Sequence, residues 1–145
     1  TNRVQDSPRK RHGTSVFIGT NLMTRMEYQS GTCNIDRSEA RKRYTMGAAG
    51  FLSAAGIIGL IYSGTLPSNL TPVVSIPLFA GFLGVLQGYL NFCAGFGMKG
   101  VESTGKEPKQ VNDTEGREKD RRKSLKIVAA SAALSAAVTL VATLA

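Results

Sequence analysis

Residues 44–98, "YTMGAAGFLSAAGIIGLIYSGTLPSNLTPVVSIPLFAGFLGVLQGYLNFCAGFGM", contain no Asp, Glu, Lys or Arg, although the chain carries 18 Lys and Arg and 10 Asp and Glu, a net charge of +8. The average composition, 42% hydrophobic with a mean hydropathy of -0.05, is that of an ordinary soluble domain. The average conceals a segregation. Half of the basic residues lie in residues 1–43 and the other half in residues 99–126, and the chain is neutral again in 127–145, "IVAASAALSAAVTLVATLA".

A helix crosses a bilayer with about 20 predominantly apolar residues, and charge at its centre is strongly disfavoured. Three segments meet that condition: Tyr44 to Tyr62, about Pro72 to Gly97, and Ile127 to Ala145. The first two are separated by "SGTLPSNLTP", where Gly64, Pro67, Ser68, Asn69 and Pro72 supply the chemistry of a short turn. The alternative is a soluble bundle with unusually apolar helices. Runs this long, apolar on every side rather than along one stripe, argue against it. The expected fold is therefore an all-α membrane protein with three transmembrane helices, a hairpin plus a C-terminal span. It divides into a basic segment 1–35, a hairpin 36–98, a basic loop 99–126 with the composition of a disordered linker, and a third span 127–145.

Basic residues accumulate on the cytoplasmic side of spans. Both basic blocks flank the same ends of the hairpin, and the 64–71 loop has none. The N-terminus and the 99–126 loop are thus expected to be cytoplasmic, with the C-terminus outside. This bias accounts for the pI of 9.9. No recognition helix, stacking platform or zinc pattern accompanies the charge, so anionic lipid head groups rather than nucleic acid are the expected counter-charge. Arg41, Lys42 and Arg43 before the first span, and Arg121, Arg122 and Lys123 before the third, form the expected lipid- or partner-facing basic surface.

The first 43 residues contain no apolar core followed by a small-residue cleavage site, so no signal peptide is read there. Val16, Phe17, Ile18, Leu22 and Met26 have the spacing of a short interfacial helix, with a loop docked on a partner as the equal alternative. Asp36 and Glu39 have the spacing of an N-cap and its N3 partner, which predicts a helix starting near Asp36 and continuing into the first span.

The segment "CNIDRSEARKRYTMGAAGFLSAAG" and the later "GYLNFCAGFGMKGV" resemble the YgaP-like small transmembrane family over about residues 33–101. Asp36, Arg37 and Arg41 match the family's helix start before its first span, and Phe92 with Cys93 match the end of its second. Ala94 stands where the family often has Pro, and the basic tail and third span are additions. The resemblance implies a membrane hairpin with a cysteine near its cytoplasmic end. The rhodanese sulfurtransferase domain joined to the hairpin in one architecture of the family is absent here, so no sulfur transfer is carried over.

Within the spans, Gly84 and Gly88 form a GxxxG, and Gly50 with Ala54, Ala55 with Gly59, and Ser131 with Ser135 repeat small-xxx-small spacing. In lipid, such positions let helix backbones approach closely, and the amides of Gln87 and Asn91 prefer protein to hydrocarbon. These features pack either the protein's own hairpin or a neighbouring subunit.

Ion pathways and proton relays usually place ionisable residues inside the membrane, and the three segments have none. One His, His12, and two Cys do not complete a metal cluster, and no phosphate loop or nucleophile elbow is present, so no metal, cofactor or catalytic residue is expected. Cys33 and Cys93 both fall near the same membrane face, where a structural disulfide is not expected in a reducing cytosol. They read either as inert or as a thiol pair with Cys33 activated by Arg37 or the helix start.

The expected function is a non-catalytic accessory subunit of a larger membrane protein complex in a prokaryotic plasma membrane or an equivalent energy-converting membrane, respiratory or photosynthetic. Two alternatives stand beside it: a thiol-based sulfur or redox relay using Cys33 and Cys93, and an anchor that recruits a soluble partner.

Overall fold

A computed structural model describes residues 27–105 and 107–145. The interfacial helix expected around residues 16–26, and His12, lie outside the described residues. The described chain is mostly helical, with three helices long and apolar enough to cross a membrane.

The first of these, α1, is Arg37–Tyr62. The expected cap is present: Asp36 Oδ1 accepts from the Glu39 backbone N–H at 2.9 Å, satisfying one of the donors that a helix start leaves open. Gly64, at φ 75°, turns the chain after α1. A 3-10 turn, Ser68–Val74, then leads into α2, Ser75–Tyr89. The second span therefore begins earlier than Pro72, and Pro72 sits inside the 3-10 turn, where its missing N–H is tolerated.

The second span also ends earlier than Gly97. Leu90 to Cys93 leave the helix, with Asn91 in the left-handed region at φ 48°, and a separate short helix, α3, Ala94–Lys99, follows. Asn is one of the few residues that adopt this conformation readily, so a position expected to sit on a packed helix face instead breaks the helix. Gly100, at φ 66°, caps α3 under the Arg117 side chain.

Among the described residues of the basic loop expected as a linker over 99–126, secondary structure forms instead. β1, Val101–Glu102, pairs antiparallel with β2, Lys109–Gln110. Then α4 runs without a break over Thr114–Leu144, capped by Asp113, whose side chain accepts from the Glu115 and Gly116 N–H groups. At about 1.5 Å per residue α4 is about 46 Å long, against about 30 Å for a bilayer's hydrocarbon core. Its apolar part starts at Ile127, so about four turns of basic helix continue beyond the apolar layer. Composition alone misjudged these turns because their order comes from one buried stripe, Gly116, Asp120 and Ser124, continued in the span by Ile127, Ser131, Ser135 and Thr139.

In the bundle α2 lies between α1 and α4, and the end of α4 meets the 3-10 turn at the hairpin tip. The hairpin closes through glycine. A Cβ on Gly84 would lie 2.6 Å from the Arg43 carbonyl oxygen and from the Gly47 nitrogen, and one on Gly50 would lie 2.6 Å from the Gly81 nitrogen. The rings of Phe51 and Tyr44 lie over Gly81 and Gly88 in the same way, each 2.8 Å from where a Cβ would stand. Nearer the tip, Ala54, Val74 and Leu78 form the apolar contact, with Phe51 and Phe82 edge to face at 5.1 Å.

Gly50, Ala54, Gly84 and Gly88 thus pack the protein's own hairpin. Gly59 does not: nothing lies within 4 Å of a Cβ placed there, and the same holds for Gly56. Ser131 and Ser135 are buried, but their hydroxyls donate to the carbonyls of Ile127 and Ala132 in their own helix. They serve α4 as small residues rather than as bonds between helices.

Because backbone stands where a side chain would go, Gly84→Leu is expected to destabilise the hairpin by about 2 to 3 kcal/mol, whereas Gly59→Leu does not destabilise the isolated protein and adds up to about 1 kcal/mol through helix propensity. Unfolding midpoints in a mixed-detergent titration, followed by circular dichroism, check both.

Candidate functional site

At the end of the bundle opposite the hairpin tip, the segment 27–36, the break at 90–93, α3 and the first turns of α4 meet in a junction held mainly by buried polar groups. Its centre is Asn34, fully buried. The Asn34 side chain donates from Nδ2 to the Cys93 carbonyl at 3.0 Å, and its Oδ1 accepts from the Cys93 N–H at 2.7 Å. One amide thereby reproduces a two-bond backbone bridge across the helix break. The Asn34 and Ile35 N–H groups donate to the Asn91 carbonyl at 3.2 and 3.4 Å, and Ser103 closes the other side by donating its N–H to the Asn34 carbonyl at 2.7 Å.

Gln87 completes this layer from α2: its Oε1 accepts from the Ala94 N–H, at the start of α3, at 3.3 Å. Of the two amides singled out in the sequence, Gln87 finds a partner within the chain by its side chain, whereas at Asn91 it is the backbone carbonyl that takes part. Behind them, α3 reaches α4 closely because Gly97 faces Ser124 and the Phe92 ring.

A second layer centres on Asp120, also fully buried. Its carboxylate accepts from the Tyr28 hydroxyl at 2.8 Å and from the Gly31 N–H at 2.6 Å. Burial and the neighbouring Asp120 carboxylate, to which it donates, push the Tyr28 phenol well above its ordinary value, so Tyr28 stays a donor. Gly31, at φ 69°, makes the turn that brings its N–H there. Lys123 turns inward as a strap. Its ammonium donates to the Thr32 carbonyl at 2.5 Å and stands 4.7 Å from the centre of the buried Phe92 ring.

Of the six cations expected on an open basic face, Lys123 is therefore occupied within the protein. Lys42 and Arg43 both pair with Glu39, and Arg43 is partly covered. Arg41, Arg121 and Arg122 are exposed, Arg122 in an exposed pair with Glu118.

Cys33 and Cys93 are both buried thiols, and no disulfide joins them. Cys93 belongs to an apolar cluster with Ile35 and Ala40 against Phe96, while the Cys33 thiol donates to the Ile35 carbonyl at 3.3 Å. Burial pushes the Cys33 thiol above its ordinary value, outweighing the lowering by its hydrogen bond and Lys123. The surroundings oppose the activated thiolate that a relay needs. Chemically, the junction fixes the orientation of the polar stub of α4.

Sequence reading missed Asn34, Asp120 and Tyr28. Gly116, Asp120 and Ser124, at spacing four, carry the pattern of Ser131 and Ser135 back into the charged block, and that continuation was the available signal for Asp120. Nothing local marks Asn34, whose partner is 59 positions away.

Asn34→Ala leaves the Cys93 N–H and carbonyl unpaired and is expected to cost about 2 to 4 kcal/mol; Asn34→Asp, which places an oxygen against that carbonyl, does no better. Hydrogen exchange at residues 91–97 checks this. Alkylation of Cys33 by iodoacetamide is expected to be slower than for a small thiol at neutral pH and to accelerate only at a more alkaline pH than that thiol does, and Asn34→Ala should reduce the difference. No family model, curated protein or solved structure matches the chain.

Proposed function

We propose that the chain is a non-catalytic accessory subunit of a larger membrane protein complex, with the polar junction and both basic blocks on the cytoplasmic side and the C-terminus outside. The observation that carries this reading is the outward small-residue face of α1. Gly56 and Gly59, in the part of α1 nearer the hairpin tip, have open space where a side chain would be, and Ala48, Ala49, Ser53 and Ala55 are exposed on the same helix around the exposed Leu52. Glycine in a helix costs roughly 1 kcal/mol relative to alanine unless close approach requires it. At the α1–α2 contact Gly47, Gly50, Gly81, Gly84 and Gly88 each have such a neighbour; Gly56 and Gly59 have none within the chain. A second subunit's helix at that face supplies it.

The charge distribution supports the orientation. Asp36, Arg37 and Arg41 stand at one end of the bundle with the charged turns of α4, and the tip 63–71 is uncharged. A prokaryotic plasma membrane, or an equivalent energy-converting one, is the proposed setting. The rigid junction gives the stub of α4 a fixed direction, which suits a subunit that meets its neighbours on the cytoplasmic side as well as in the bilayer.

Mild-detergent extraction of tagged protein from its native membrane, followed by native gel separation and mass spectrometry, tests the reading. A stoichiometric large complex is expected. Gly56→Leu with Gly59→Leu should release the protein from it while leaving the isolated fold intact, and Cys33→Ser or Cys93→Ser should not. A lone protein on the gel, or loss of function on cysteine replacement with the complex intact, overturns it.

A further inference from the structure

Where α1 enters the apolar layer, a groove of about 270 Å³ opens between α1 and the end of α2, lined by Arg37, Arg41, Tyr44, Gly88, Tyr89 and Asn91. Arg37, Arg41 and Tyr44, at spacings of four and three, lie along one face of α1. Both guanidinium groups are exposed, and among the described residues neither joins an ion pair, whereas Lys42 and Arg43 on the adjoining face share Glu39. The nearest carboxylate in sequence, Asp36, is engaged in capping α1 and in accepting from Ser38.

Gly88 shapes the groove: the Tyr44 ring lies directly over it, in space that a larger residue would occupy. Tyr89 is 73% exposed and Tyr44 42%, so two amphipathic rings flank two unpaired cations at the depth where a bilayer changes from head groups to hydrocarbon. Below the groove the outer surface is apolar, with Leu52 exposed on α1.

We propose that this groove is a head-group site for one anionic phospholipid: Arg37 and Arg41 take the phosphate as charge-assisted donors, the tyrosines pack against its glycerol, and the acyl chains lie on the apolar surface below. The two arginines present several N–H donors from one helix face, a geometry that suits phosphate oxygens. A free phosphate ion uses only the arginines; the aromatic walls and the opening towards hydrocarbon favour a lipid. The site rests on the membrane-embedded reading and not on any partner subunit.

The test uses the full chain purified in neutral detergent, so that it stands apart from complex membership. Native mass spectrometry follows titration with phosphatidylglycerol or phosphatidylcholine, in the wild type, in R37Q/R41Q, and in R121Q/R122Q, which removes the same charge from exposed positions on α4. The expected result is a preference of about tenfold for phosphatidylglycerol, lost in R37Q/R41Q and kept within about twofold in R121Q/R122Q. Circular dichroism should be unchanged in both, as all four side chains are exposed. Equal losses in the two double variants, or no loss in R37Q/R41Q, would overturn the site. So would displacement of the lipid by inorganic phosphate at matched concentration, which would show that the groove reads a free anion.

Discussion

The architecture depends on how closely two backbones can approach in a medium that gives apolar surfaces no reason to associate. Between α1 and α2 the distance is set by Gly47 and Gly50 on one side and Gly81 and Gly84 on the other: at Gly47, Gly50 and Gly84 main-chain atoms, and at Gly81 the Phe51 ring, stand where a side chain would otherwise be. Dispersion falls off steeply with separation, so contact of this kind recovers in lipid some of the attraction that hydrophobicity supplies in water. Everything after α2 inherits the constraint. The break at Asn91, the placement of α3 and the docking of α4 all refer to where the end of α2 has been held.

The two halves of the molecule solve opposite problems. In the spans the backbone bonds are satisfied within each helix, and the buried hydroxyls of Ser131 and Thr139 return to carbonyls of their own helix, so polarity is hidden locally. At the basic end, groups far apart in sequence satisfy one another. Asn34 reaches Cys93, Asp120 reaches Tyr28 and Gly31, and Lys123 reaches Thr32. Such a network has little apolar burial beneath it: Ile35, Phe92 and Val111 are among the few large buried hydrophobes there. Its stability depends on each member being satisfied, because a buried amide or carboxylate that loses its partner pays its full desolvation cost.

This division explains what could be read from the sequence. The three spans were visible because charge exclusion over residues 44–98 and 127–145 is a property of composition, and the start of α1 was visible because Asp36 and Glu39 are neighbours on one turn. Among the small residues, spacing identified Gly50, Ala54, Gly84 and Gly88 as packing positions. It could not distinguish them from Gly59, since the pattern is the same whether the other helix belongs to this chain or to another. The basic first turns of α4 were hidden because charged residues surround a stripe of three, Gly116, Asp120 and Ser124. The partners of Asp120 in that stripe lie about ninety positions earlier.

The basic charge likewise separates into classes that a count merges. Lys123 is drawn inward over Phe92, and Lys42 and Arg43 are held by Glu39, while Arg37 and Arg41 face outward beside two tyrosines. The positive-inside bias requires only that enough cations lie near one face, so it constrains their number and not their orientation. Once some are committed to internal straps and pairs, those that remain uncommitted become distinctive by position. Arg37 and Arg41 flank the hairpin contact on α1, so the same glycine packing that holds α1 against α2 also fixes the width of the groove between them. A residue such as Gly88 therefore serves both: it lets Tyr44 lie close, and in doing so it leaves the two arginines facing an open groove at the edge of the apolar layer.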